Sequence, residues 1–237
     1  MADSQAVVQH RARPDHTTER RGGVRWWQPV LFVAMCGVIA LSFVLPPPMN
    51  VDVTFRSASR IFFYHVPVAW VTVIAYFTAI FYGIRFLRTK SWQDDHRAVT
   101  AAGLGTVYCI LATISGSIFA KVAWGSFWNW DPRQVSIFVL LLIYGSYFTL
   151  RGAVRSDQAR GALSAVYSIL ALFAVPFFIF IMPRMDKSLH PAQMELDPGS
   201  TLPVFLVSLA CFTVLFFWML TMAFKVSLRQ GRKERDF

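Results

Sequence analysis

Six stretches of this 237-residue chain contain no Asp, Glu, Lys or Arg, running over 27–45, 63–84, 98–120, 134–150, 161–182 and 202–224. Each comes close to the about 20 apolar residues that a helix needs to cross the hydrocarbon layer. Lipid cannot satisfy exposed backbone polar groups, so helix is the expected state of all six. Composition agrees: 55% of residues are hydrophobic and only 15% charged, against about 45–50% and about 25% in a soluble domain. A disordered chain, a collagen-like rod and a disulfide-stapled secreted domain are excluded. The expected fold is all-α, a polytopic membrane protein of six transmembrane helices. Spans of this length consume roughly half the chain and leave no room for a separate soluble catalytic domain.

The charges that remain report orientation. If both termini lie on one side, that side collects 17 Lys and Arg residues and the other collects 6. Basic residues concentrate in cytoplasmic loops, so both termini are expected in the cytoplasm. The net charge of +10 is therefore topological and does not indicate nucleic-acid binding. Residues 1–25 read as a disordered cytoplasmic tail, 26–227 as the membrane domain and 228–237 as a second cytoplasmic tail. The run Trp27–Leu45 ends in Pro46-Pro47-Pro48. It is longer than the core of a signal peptide, which predicts a retained helix.

Several function classes lose support. Pumps and ion-coupled transporters place ionisable groups within the bilayer, and the six segments hold no Asp, Glu, Lys or Arg. Cys36, Cys109 and Cys211 lie singly in apolar runs, without a CxxC pair, and read as small buried residues. There is no GxxxxGK[ST] phosphate loop, so any ATP-driven work needs another subunit. Ala112, Gly116 and Ala120 form a small-residue stripe that allows close helix packing, and Pro176 is expected to kink the fifth helix.

The outer face carries the unusual chemistry. Its loop 121–133 packs Trp124, Trp128 and Trp130 into seven positions, with Gly125 beside the first and Asp131-Pro132-Arg133 at the end. Helical spacing puts Trp124 and Trp128 on one face and Trp130 elsewhere. An interfacial aromatic belt accounts for tryptophans alone, but not for the glycine and the charges. His65 and His190 fall on the same side, flanking this loop in sequence. Singly, each reads as a polar helix cap; together they offer two imidazoles, strong ligands for transition metals and haem iron. Indole faces suit the plane of a porphyrin. Arg56, Arg60, Lys121, Arg133, Arg184 and Lys187 are on the same side, where cations can meet propionates. From the residues, the expectation is an outer-face site for a planar metallocofactor.

At these residues the sequence resembles a known family. Trp124-Gly125-x-x-Trp128-x-Trp130-Asp131 is similar to the WGxxWxWD (WWD) signature of haem-handling proteins of cytochrome c maturation. Arg60-Ile-Phe-Phe-Tyr-His65-Val-Pro67-x-Ala69-Trp70 and Ser188-Leu-His190-Pro191 resemble the segments around the two histidines of its CcmC branch. The likeness covers residues 25–227. Other branches read WDPxE where this chain has Trp130-Asp131-Pro132-Arg133-Gln134. The resemblance implies a haem-binding protein of the bacterial cytoplasmic (inner) membrane, without enzymatic activity of its own. It implies that haem b is held at the periplasmic face and delivered to the haem chaperone CcmE. A small CcmD-like subunit and the ATP-binding-cassette subunits CcmA and CcmB are the further partners implied, with membrane lipid around the helices. Carried over, His65 and His190 become axial iron ligands, and Trp124, Trp128, Trp130 and Asp131 a platform exposing a haem edge. Gly125 allows close approach of backbone or ligand. Arg133, read from its place beside the motif and not from the resemblance, is expected to partner a propionate or the platform. The alternatives are a CcsA- or CcmF-type synthetase joining haem to apocytochrome, and a permease subunit without haem.

Overall fold

The computed structural model describes residues 25–45, 58–185, 188–190 and 196–233, with side chains as far as Val226. Residues 1–24 and 234–237 of the two expected tails, and the loop residues Pro46–Pro48, Arg56, Lys187 and Pro191, lie outside these residues, whereas 228–233 of the expected second tail are helical. Helix α1 spans Trp27–Val44. A 3-10 turn, Ser59–Ile61, leads into α2 (Phe62–Thr89), followed by α3 (Trp92–Trp124) and α4 (Pro132–Ala153). Helix α5 (Asp157–Pro176) widens into a π-helical stretch, Phe177–Ile181, and closes on the turn Met182–Met185; α6 spans Thr201–Lys233. Six helices are long and apolar enough to cross a membrane, and the described residues form no strand. The expected all-helical, six-span membrane fold is what forms.

Helix α2 is the most buried span and packs against α3, α5 and α6. Midway along it, the Tyr76 ring lies parallel to that of Tyr144, with centroids 3.4 Å apart. Gly105 makes this possible, because a Cβ there would fall 2.8 Å from the Tyr76 ring. The close packing of α2, α3 and α4 at this level forms the floor on which the outer part of the bundle stands.

At the end of the bundle away from Trp124, Trp128 and Trp130, the helices run further than hydropathy indicates. The stretch 85–97 reads as a loop in sequence, but only Lys90 and Ser91 interrupt the helices there. Lys90 turns the chain with a left-handed φ of 53°. Charged residues stay helical because they are paired. Buried Asp94 lies 3.4 Å from Arg85 and 3.5 Å from Arg97 and accepts a hydrogen bond from Thr89 Oγ1 at 3.0 Å. Asp95 receives both guanidinium arms of Arg151, at 2.8 and 2.5 Å. Both carboxylates occupy the first turn of α3, where the helix dipole favours negative charge.

At the tryptophan end, two hydrogen bonds fix the start of α2. The Arg60 guanidinium donates to the Ser42 carbonyl and, at 2.9 Å, to the Leu45 carbonyl, capping the end of α1. Pro67 sits inside α2. Having no N–H, it leaves the carbonyl four residues earlier without its helical donor. That carbonyl belongs to Phe63, and Ser208 Oγ of α6 donates to it at 2.5 Å. The turn carrying His65 is thereby held from the last helix.

Candidate functional site

A cavity of about 480 Å³ opens between α2, α3, α4 and the widened part of α5. That volume falls in the range of about 300–1,000 Å³ common to small-molecule and cofactor sites. His65, His190, Trp128, Arg133 and Arg184 line it, among mainly apolar neighbours. The kink expected at Pro176 takes the form of the π-helical stretch, and Phe178 and Ile179 from that stretch line the cavity wall. π-Helical turns concentrate at functional sites because they open a helix locally.

The two histidines, 125 positions apart in sequence, meet in this cavity with the same ring nitrogen engaged. His190 Nδ1 lies 2.9 Å from Asp131 Oδ1, and His65 Nδ1 lies 2.9 Å from Ser115 Oγ. An ionised carboxylate only accepts, so the His190 proton is on Nδ1 and its Nε2 carries the bare lone pair. Burial, reinforced by the charge of Arg133, pushes the His190 imidazole below its ordinary value, with Asp131 opposing. The ring is neutral at physiological pH, the form that binds metals. Among the described residues no three His, Cys, Asp or Glu side chains gather to hold a bare metal ion. Two imidazoles suffice for a metal whose other ligands come from a macrocycle. The residues present thus fit a planar metal complex, with Arg133 and Arg184 available to acidic substituents.

Asp131 does more than end the tryptophan loop. It is only 3% exposed and its carboxylate accepts four hydrogen bonds. The Arg133 N–H (2.9 Å) and His190 Nδ1 (2.9 Å) approach Oδ1, and the Leu189 N–H (2.6 Å) and Ser188 Oγ (2.9 Å) approach Oδ2. Burial alone raises its pKa, but these donors and the His190 charge outweigh it, leaving the carboxyl below its ordinary value. As the N-cap of α4, with Pro132 at the first helical position, it follows a common helix-start chemistry. It ties that start to the His190 segment.

The tryptophan loop departs from the spacing argument. Helix α3 ends at Trp124, so Trp124 and Trp128 do not share a helical face. Trp124 meets the His190 ring edge-on, with centroids 4.7 Å apart. Trp128 lines the cavity and meets Trp130 edge-on at 5.8 Å. Trp130 is 72% exposed and has a φ of +55°, a conformation uncommon for a bulky residue. Gly125 has another role than close approach: a Cβ there would meet nothing within 4 Å. Its φ of +78° and its N–H bond to the Lys121 carbonyl at 3.1 Å end α3, the left-handed cap that glycine favours.

Ser115, Gly116, Gln134, Ser188 and Ser208 escape the sequence argument as site residues. Gln134 accepts from the Asn129 N–H at 2.8 Å and donates from Nε2 to the Phe127 carbonyl at 3.2 Å. It stands three positions after the N-cap, where Glu or Gln reaches back in a capping box. The Asp-Pro-Arg-Gln string could have signalled this. For Ser115 and Ser208 no local signal existed, since their partners are 50 and 145 residues away.

Comparison with known proteins adds an independent line. A family model described as CcmC, Heme exporter protein C, matches residues 8–236. The match extends beyond the 25–227 covered by the motif resemblance, into most of the N-terminal segment. A heme exporter protein C of Paracoccus denitrificans is 27% identical over 93% of this chain and 93% of its own. One of Bradyrhizobium diazoefficiens is 28% identical over 66% of this chain and 62% of its own. A cytochrome c biogenesis protein CcsA of Spinacia oleracea is 30% identical over 41% of this chain and 29% of its own.

Proposed function

Since the chain belongs to the CcmC, or Heme exporter protein C, family, we propose that it binds haem b in the cavity between His65 and His190 and passes it on during c-type cytochrome biogenesis. The observation carrying this reading is the pair of imidazoles lining one cavity, each held through Nδ1. His65 and His190 would hold the haem iron through their Nε2 atoms. Trp128 provides an aromatic wall, Arg133 and Arg184 receive propionates, and Trp124 and Asp131 hold His190 in place. The exposed Trp130 faces the acceptor.

The basic excess of the opposite end supports a reading with both termini in the cytoplasm, the helices in a bacterial inner membrane and the cavity at the periplasmic face. Delivery to a CcmE-type chaperone, alongside CcmD-, CcmA- and CcmB-type subunits, fits a family named for export. The activity is transfer of haem, without chemistry on the haem by this chain. The local likeness to CcsA favours one competing reading, a synthetase that joins haem to apocytochrome thiols.

The test is an absorption spectrum of the full chain purified in detergent after expression with its partners. A Soret band is expected in wild type and lost in His65→Ala and His190→Ala. A haem-free wild type, or haem content unchanged in both variants, overturns the reading. Thioether formation on apocytochrome by the purified chain alone establishes the synthetase instead.

A further inference from the structure

We infer that Ser115 and Gly116 of α3 form a socket that fixes both the tautomer and the plane of the His65 imidazole, making them positioning residues for the metal-binding nitrogen. The inference rests on the haem reading for its purpose, but its geometry stands on the protein alone. The Ser115 hydroxyl has one proton. Its Oγ lies 2.8 Å from the Leu111 carbonyl and 3.2 Å from that of Ala112, the helical back-bond in which a serine hydroxyl is the donor. Towards His65, 2.9 Å away, Ser115 therefore accepts. With the hydroxyl proton so engaged, the imidazole carries its own proton on Nδ1, and Nε2 is left with its lone pair.

Gly116 supplies the space. A Cβ on it would fall 2.9 Å from His65 Cε1, and 3.7 Å from each ring nitrogen. Any side chain there forces the ring from its place. The small-residue stripe Ala112, Gly116, Ala120 thus does more than let α2 and α3 approach. Ala112 and Ala120 are buried, whereas the glycine between them admits the edge of an imidazole. The two histidines are held differently as a result: His190 by an anionic carboxylate, His65 by a neutral hydroxyl. Outer-shell partners of this kind set ligand tautomer and orientation.

The experiment uses the full chain in detergent, labelled with 15N-histidine and free of haem, with His65→Ala assigning the resonances. Wild type is expected to show His65 protonated on Nδ1. Ser115→Ala is expected to shift the signals towards the other tautomer, and Ser115→Thr, which keeps the hydroxyl, to retain them. In parallel, haem titration followed by the Soret band reads affinity. Ser115→Ala and Gly116→Ala are each expected to lose about 10- to 100-fold, the range for an outer-shell partner, with Ser115→Thr close to wild type. Unchanged His65 signals in Ser115→Ala overturn the socket even if haem binds to wild type and His65→Ala abolishes it. The expected tautomer shift in a protein that takes up no haem supports the socket and sinks the haem reading instead.

Discussion

Asp131→Asn preserves shape and removes a charge, and the four donors around the carboxylate set the cost of the exchange. An asparagine offers one oxygen and one NH2 group. If the NH2 takes the Oδ2 place, it opposes the Leu189 N–H, now 2.6 Å from that oxygen, although Ser188 can rotate to accept. If it takes the Oδ1 place, it opposes the Arg133 N–H at 2.9 Å. His190 can then accept only by moving its proton to Nε2, which removes the lone pair a metal needs. Either way one backbone N–H in a buried site loses its acceptor, a cost of about 1–3 kcal/mol. Loss of the carboxylate behind a ligating histidine adds a fall of about 10- to 100-fold in metal-complex affinity. Thermal unfolding and haem titration of detergent-purified protein read the two effects separately. Wild-type haem affinity in Asp131→Asn would refute the assignment of Asp131 as the orienting partner of His190, and unchanged thermal stability would refute the hydrogen-bond count.

The geometry sets three further outcomes. Gln134→Glu keeps the bond from the Asn129 N–H but sets a carboxylate against the Phe127 carbonyl, now 3.2 Å from an NH2 donor. Tryptophan fluorescence should become easier to quench with acrylamide, with a stability loss of about 1–3 kcal/mol and an unaltered Soret maximum. Asp95→Ala strands the Arg151 guanidinium, 12% exposed, and should cost about 3–5 kcal/mol in thermal or denaturant unfolding without altering the haem spectrum, because the pair lies at the other end of the bundle. Acidification should destabilise the chain in two stages. His190 and Asp131 both have folded pKa values depressed from ordinary values of 6.5 and 3.8. The unfolded chain therefore takes up protons first, and stability present above pH 6.5 is lost first as pH falls through the depressed His190 value and then below pH 3.8. A pH series of unfolding midpoints checks this, and His190→Gln should weaken the upper stage.

The membrane fold was legible because hydrocarbon imposes one rule on every residue of a span, and six charge-free segments obey it. Helix ends were less so. Hydropathy stops at Arg85 and resumes at Ala98, yet Asp94 and Asp95 continue the helix once Arg85, Arg97 and Arg151 neutralise them. Pairing across 56 residues, as in Asp95 with Arg151, leaves no trace in a local window. Within the candidate site, residue types with distinctive chemistry could be found in advance: the cavity gathers His65, His190, Trp128 and Arg133. Spacing failed for Trp124 and Trp128 because Gly125 ends the helix between them. Serines and glycines such as Ser115, Gly116 and Ser208 were invisible, since their importance lies entirely in what faces them.

The hydrogen bond from Ser208 to Phe63 has a consequence for biosynthesis. The turn bearing His65 is inserted early, but the donor that completes it arrives 145 residues later, on the sixth span. A nascent chain with five helices in the bilayer has all four cavity-forming helices and still lacks the brace beneath His65. On the proposed reading, haem capture in its final geometry is therefore a property of the finished chain, and an incomplete translation product offers a looser trap for a reactive cargo.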